Sequence, residues 1–548
     1  MNRRNFLIAA SAATTSGLAT TLHGEHAMAA SSPSSSTSPS SAAFNIVEAS
    51  AADLQSAMTK GRVSSEALVR AYLNRVKAID KSGPRINAVI ETNPDALTIA
   101  RELDRERKAG KVRGPLHGIP VLIKDNIATA DKMQTTAGSL ALQGARANKD
   151  AFIVTKLREA GAVIIGKTNL SEWANFRSTR STSGWSSRGG LTKNPYALDR
   201  NTSGSSSGSG AAAAASLATL TVGTETDGSI VSPSAINGLV GFKPTLGLVS
   251  RSGIIPIAHS QDTAGPMCRT VADAAVLLSA LTARDEADKA TSAPPRPTGA
   301  IDTDFVKVLD RNALKGKRIG VVRSQFGGRN DLVSAEIEKA LKVLKDAGAE
   351  LVDLPELPNA NKYGATEYEV LLYEFKAGVA DYIAQYAPTS PVKNLADIIA
   401  FHEKNASRVM PFFAQEHMVR ANAKGGLDDK AYLDALANNH KFSRAEGIDR
   451  ALIDNKLDAL VAPSGSPAWL TDFIRGDNSG GGFSSPAAVA GYPHITVPAG
   501  LVQGLPCGIS FVGAAWSDAK IIGMAYAFEQ ASKARRAPTY AKTVNVKA

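Results

Sequence analysis

The stretch Asn201-Thr202-Ser203-Gly204-Ser205-Ser206-Ser207-Gly208-Ser209-Gly210 runs without a break into the alanine-rich segment 211–219. A flexible Gly/Ser linker would not lead straight into a helix. The alanine segment predicts a helix over 211–219 with almost no side-chain bulk on any face. So thin a helix is explained by close packing against a sheet at the centre of a domain. A phosphate-binding loop is disfavoured because no Gly-Lys-Ser/Thr follows. A dinucleotide fingerprint fails on spacing and lacks its acidic residue in a clean βαβ frame.

The flanking segments supply the sheet. Gly118-Ile119-Pro120-Val121-Leu122-Ile123 is a short apolar run, read as a buried strand that delivers Lys124. Residues 151–166 read as a helix, then a strand at Ala162–Ile165 closed by Gly166, which makes one βαβ beat. Val333, Ile337, Leu341 and Leu344 mark an amphipathic helix stopped by Gly348, with strands at 318–322 and 350–353 around it. Residues 51–79 read as helices. The final third carries strands at 458–462, 494–498 and 508–512 and a helix at 518–533. The fold class expected is α/β: a single large domain whose central mixed, twisted sheet is covered by helices on both faces. Between about 360 and 450 the pattern is mainly helical, an insertion expected over one edge of the site.

Asn2-Arg3-Arg4-Asn5-Phe6-Leu7 is a twin-arginine pattern, followed by a weakly apolar stretch and by small residues at Ala27-Met28-Ala29. Residues 1–29 are therefore expected to be a twin-arginine signal peptide, and the protein to be exported to the periplasm or beyond. The apolar part is too short and too rich in Ser/Thr to span a bilayer. Residues 30–43 form a Ser/Pro-rich linker, and the globular part is expected to occupy 44–548.

The chain carries 62 Lys/Arg against 51 Asp/Glu, a net charge of +11. No basic run of five or more appears, and no aromatics interleave with the basic residues, so the charge reads as a solvated surface and not as a nucleic-acid platform. The two cysteines, Cys268 and Cys507, lie in apolar contexts that suit buried free thiols. The eight histidines show no metal-ligand spacing, and no Cys-x-x-Cys occurs.

Ser229, in Thr226-Asp227-Gly228-Ser229, is the expected nucleophile: successive backbone N–H groups beside a flexible glycine can converge on one anion, as a tetrahedral intermediate requires. The competing reading of that motif alone is an ordinary Gly-Ser turn. Lys124 could act as a base only if desolvation lowered its pKa, for which the preceding Pro-Val-Leu-Ile run provides a setting. Its competing reading is a pair with the adjacent Asp125. Ser205 both donates and accepts, so it can relay a proton between Ser229 and the lysine amine. No histidine lies in a Gly-x-Ser-x-Gly frame; His117 and His259 lie near the motifs without an identifiable carboxylate partner.

With these residues the chain resembles the amidase signature family. The resemblance rests on the Gly/Ser loop, the second serine after it and the lysine of Lys124-Asp125-Asn126. It extends to Gly166-Lys167-Thr168-Asn169-Leu170-Ser171-Glu172-Trp173-Ala174, Gly241-Phe242-Lys243-Pro244-Thr245 and Ala490-Gly491-Tyr492-Pro493. It covers about 45–535. The resemblance implies a Ser–cis-Ser–Lys triad of Ser229, Ser205 and Lys124, with a cis Gly204–Ser205 peptide. It also implies an oxyanion hole from the backbone of Thr226, Asp227, Gly228 and Ser229. Within the family the chain is most similar to the bacterial peptide amidase branch, which removes C-terminal amides of peptides. That likeness is carried by Asn175-Phe176-Arg177, Gly184-Trp185-Ser186, Arg188-Gly189-Gly190 and the segment Leu371–Gly378. Many members have Arg two positions after the nucleophile where this chain has Val231, a departure the peptide amidase branch shares.

The expected activity is thus hydrolysis of carboxamides, foremost the C-terminal amide of peptides, with release of ammonia through an acyl-enzyme on Ser229. The expected partners are a small-molecule or peptide amide substrate, with no nucleic acid, no stable membrane insertion, no metal and no organic cofactor. Aryl acylamides or small carboxamides are alternative substrates for the same triad. An amidotransferase subunit acting on aminoacyl-tRNA fits poorly with an export leader. A binding protein without catalysis on the same fold is the alternative of another class. Trp173, Phe176 and Tyr373 are candidates for the acyl pocket.

Overall fold

The computed structural model describes residues 44–292, 303–326 and 331–544; the leader, the Ser/Pro linker and their expected boundaries lie outside the described residues. The strands are β1 Val89–Thr92, β2 Pro120–Lys124, β3 Val163–Thr168, β4 Trp185–Ser186, β5 Gly190–Leu191, β6 Leu220–Glu225, β7 Val240–Lys243, β8 Thr263–Cys268, β9 Arg318–Val322, β10 Glu350–Leu354, β11 Ala459–Pro463, β12 His494–Val502 and β13 Leu505–Val512. β4 and β5 form a small ribbon. The other eleven make one sheet in the order β1-β3-β2-β6-β8-β7-β12-β13-β11-β9-β10. The sheet is mixed: β3, β2 and β6 run parallel, as do β11, β9 and β10, while the middle from β6 through β8, β7, β12 and β13 to β11 is antiparallel.

The parallel beats come from sequence patterns of the βαβ kind. Ile153, Val154 and Leu157 of the helix Phe152–Glu159 are buried, and β3 follows it after one turn. The helix Asp331–Asp346 buries Val333, Ile337, Leu341 and Leu344 between β9 and β10 in the chain. Together with the helices Val271–Leu281 and Asp518–Ser532 it forms one layer against the sheet, and the helices Ser207–Ala214 and Val231–Ile236 form another. Strands covered on both faces are buried along their whole length, as every residue of β2, β3, β6 and β8 is, their few polar residues included.

The alanine helix departs from its expected bounds of 211–219. It starts at Ser207, inside the Gly/Ser loop, and ends at Ala214. Ser207, Gly208, Ser209 and Gly210 are as buried as the alanines, so packing against β2, β3, β6 and β8 outweighs the low helix propensity of glycine and serine. Ser216, with φ +54°, then turns the chain into β6. A Cβ on Gly208 would collide with the carbonyl oxygens of Ala88 and Asn169, so the helix can approach β3 this closely only with glycine there.

Residues 364–454 are helical, with Gly364–Tyr386, Leu395–Lys404, Glu416–Asn422, Lys430–Ser443 and Asp449–Asp454 as the main elements. No helix among the described residues is long and apolar enough to cross a membrane.

Candidate active site

Three consecutive serines of the Gly/Ser loop are held by different partners. Ser206 accepts from Thr224 N at 3.2 Å and donates to Thr224 O at 2.9 Å, which pins the loop to β6. Ser207 Oγ lies 3.3 Å from Ser171 Oγ. Ser209, one turn on, donates to Val222 O at 3.0 Å. Ser205, whose peptide bond with Gly204 is cis, is thereby left with its hydroxyl towards β2. Lys124 donates to it from Nζ at 2.8 Å.

Lys124 is the last residue of β2, the strand next to β6, and is wholly buried. Its amine also meets Thr224 Oγ1 at 2.9 Å and Thr224 O at 3.2 Å. Burial drives its pKa down from 10.5 to about 7, against the opposing pull of the Asp262 and Glu225 carboxylates. The pairing with Asp125 does not form. Asp125 faces away and accepts from Arg188 Nη1 at 3.2 Å, from Gly138 N at 3.3 Å and from the Thr136 hydroxyl.

Two other buried lysines show what sets Lys124 apart. Lys167 and Lys243 are also pushed down by burial, each to about 8. Lys167 Nζ ends on Ile127 O at 2.7 Å and Thr135 Oγ1 at 2.8 Å, and Lys243 Nζ on Pro244 O at 3.2 Å. Neither meets the serine loop.

Ser229 is buried in the turn between β6 and the helix Val231–Ile236. Its carbonyl accepts from Ser206 N at 3.2 Å, which sets this turn against the loop carrying Ser205. Gly228 sits at φ +80°, a conformation open to glycine, and its neighbour Asp227 is anchored by Ser485 Oγ at 2.6 Å. Among the described residues the N–H groups of Asp227, Gly228 and Ser229 donate to no protein acceptor. The next two, of Ile230 and Val231, both donate to Glu225 Oε2, at 2.7 and 2.9 Å. Glu225 thus closes the turn from below and leaves its upper donors open.

Several residues around the site were not singled out from the sequence. Thr224 is the second partner of Lys124 and is itself met by Asn126 Nδ2 at 3.0 Å. Asp262 accepts from the Thr226 hydroxyl and from the N–H groups of Ile257 and Ala258 at 2.9 and 3.0 Å; burial raises its pKa to about 7. Its signal in the sequence is a lone carboxylate in the otherwise uncharged run Ile254–Cys268, a pattern that suits a buried, perturbed acid. His117 bonds Leu103 O at 2.9 Å and His259 faces Glu374 at 3.4 Å, so neither serves a catalytic serine.

A cavity of about 310 Å³ opens beside Asn126, Thr224 and Thr226, walled by Ile255, Pro256 and the helix Gly364–Tyr386. A second, of about 260 Å³, lies on the other side, against Gly204, Asp227 and Gly228. The aromatic candidates for the acyl pocket line neither: Trp173 and Phe176 pack on Phe375, with ring centroids 6.3 and 5.2 Å apart, and Tyr373 packs on Tyr432. Their neighbour Ala174 is the residue that reaches the larger cavity. Among the described residues no group of three or more His, Cys, Asp or Glu side chains is arranged to hold a metal.

Comparison with known proteins finds relatives of the whole described fold. The family model described as Amidase matches residues 67–522. The solved structure of native peptide amidase from Stenotrophomonas maltophilia is 52% identical and covers 90% of this chain and 99% of that one, with a TM-score of 0.85. A protein of Arabidopsis thaliana named as a probable amidase is 42% identical over 510 residues, 91% of this chain and 93% of its own length. An amidase family protein from Bacillus anthracis is 38% identical, covering 90% of this chain and 93% of that one, with a TM-score of 0.81.

Proposed function

This chain belongs to the amidase family and is a hydrolase of amides, and from that premise we propose that it removes the C-terminal amide of peptides by way of a Ser229–Ser205–Lys124 triad. The observation that carries the triad is the buried Lys124 amine, 2.8 Å from Ser205 Oγ and held near neutrality by desolvation. The neutral amine takes the proton of Ser205, and Ser205 takes that of Ser229, whose oxygen attacks the amide carbonyl. Negative charge then moves onto the carbonyl oxygen, where the unengaged N–H groups of Asp227, Gly228 and Ser229 and that of Thr226 stabilise it. Returning the proton along the same relay to the departing nitrogen breaks the C–N bond and releases ammonia. Water, deprotonated by the relay, hydrolyses the acyl ester and regenerates Ser229.

The choice of peptide amides rests on the 52% identity to the Stenotrophomonas maltophilia peptide amidase over nearly its whole length. The test is ammonia release from a dipeptide amide and aniline release from the matching anilide, with wild type and Lys124→Ala. Turnover of the peptide amide, lost in the variant, is expected. A preference for the anilide would keep the chemistry and replace the substrate class. Acylation of wild type but not Ser229→Ala by a fluorophosphonate is expected, and unlabelled wild type would sink the nucleophile. Export is proposed from Arg3-Arg4 and the run to Ala29; cell fractionation of wild type and a paired Arg→Lys variant tests it.

A further inference from the structure

The larger cavity has a charge pattern opposite to that of the whole molecule. The chain carries +11, yet Asp262, Asp288, Glu374 and Asp381 line this space against the single guanidinium of Arg251. Arg251 is already committed to Asp288, to which its Nε donates at 2.9 Å. Glu374 is buried and holds Ser260 N at 2.9 Å and the Tyr432 hydroxyl at 2.8 Å, with the half-exposed His259 at 3.4 Å. Asp381 is exposed at the mouth on the helix Gly364–Tyr386.

A second observation points to a ligand that donates hydrogen bonds. Asn126 is 3% exposed, its Nδ2 is spent on Thr224 Oγ1, and its Oδ1 has no partner. An amide oxygen can accept two hydrogen bonds, and an unmet one in a buried wall is unfavourable. The hydroxyl of Tyr382, 5% exposed, also lines the cavity without a partner. Asn126 stands close to the reaction, since it bonds the threonine that holds Lys124, and Thr226 of the oxyanion turn is part of the same wall.

Resting on the amidase reading above, we propose that this cavity receives the side chain on the acyl side of the scissile amide and selects cationic residues over anionic ones. Ile255, Pro256, Ile257 and Ala377 offer an apolar sleeve for the methylene stem of an arginine or lysine. The guanidinium brings five N–H donors to a wall of acceptors. A carboxylate entering the same space would lose hydration and meet like charges, which discriminates by repulsion. The field also favours departure of the carboxylate product once the amide is cleaved.

The test uses the amides of N-acetylarginine, N-acetylcitrulline and N-acetylglutamate, which vary side-chain charge while the acetyl cap removes the terminal ammonium. Citrulline is the neutral isostere of arginine. The expected order of kcat/KM is arginine, citrulline, glutamate, with about tenfold or more between the extremes at low salt and a smaller spread at high salt. Asp381→Asn, an exposed change that the fold tolerates, is expected to lower the arginine-to-citrulline ratio several-fold. Equal kcat/KM for all three amides, or an unchanged ratio in the variant, would overturn the proposal while leaving the amidase intact. Failure of a folded enzyme to release ammonia from any of them or from a plain peptide amide would overturn the underlying reading, and the proposal with it.

Discussion

Lys124, Lys167 and Lys243 are equally inaccessible, and what separates them is where the amine ends. Only the lysine whose amine meets the serine loop can take a proton from a serine relay, so Lys124→Ala is expected to lower kcat on the order of a thousandfold or more. The protein should stay folded by circular dichroism. Neutral amine is the active form, and the amine is protonated below about pH 7. Activity should therefore rise with pH through that value and level off above it, seen in kcat/KM against pH. A rate flat down to strongly acidic pH would exclude a lysine base. The Asp262 carboxylate opposes deprotonation of Lys124, so Asp262→Asn should move the acid limb to lower pH. Because Asp262 also accepts from Thr226, the variant should lose rate as well, which a purely electrostatic role would not produce. Lys124, Ser205 and Ser229 can be named as candidates from local motifs; Thr224, which meets Lys124, and Asp262, which holds Thr226, cannot, because their significance lies in partners distant in sequence.

At the scale of elements, β2, β3 and the strands from β9 onward stand out by their hydrophobic patterning and the turns that bound them. β6, β7 and β8 at the centre of the sheet were missed. β8 reads Thr263-Ala264-Gly265-Pro266-Met267-Cys268, and a proline in a central strand argues against one. Here full burial between two helix layers overrides that propensity. The helix Ser207–Ala214 illustrates the same tension. Its glycine at 208 is required by the carbonyls of Ala88 and Asn169, so Gly208→Ala should destabilise the protein by about 1–3 kcal/mol through overpacking. Urea unfolding should report a lower midpoint at unchanged m-value. The same substitution at solvent-exposed Gly61, with nothing within 4 Å but φ +66°, would meet only the backbone preference.

The described residues are built on one eleven-stranded sheet packed between helices, without a disulfide. Cys268 on β8 and Cys507 on β13 are free and buried, and burial raises both thiols, that of Cys507 to about 12. Reductant should therefore leave the thermal midpoint unchanged, and iodoacetamide should label neither thiol until the protein unfolds. A midpoint lowered by reductant would reveal a disulfide.

Sequence alone determined the amidase family and the layered α/β plan, because both are written locally: apolar period, glycine punctuation, and motifs of recognisable form. Tertiary structure alone decided which hydroxyl meets the amine. Parallel pairing of β2 with β6 brings Lys124 to Thr224, a hundred residues on, and the Ser206 hydrogen bonds to Thr224 set the neighbouring Ser205 against the same amine. Tertiary structure also decided the charge around the substrate. The carboxylates of the larger cavity come from the Ile254–Cys268 segment, the loop after the helix Val271–Leu281 and the helix Gly364–Tyr386. Their joint field exists only where the fold excludes water and brings those separate stretches to one wall.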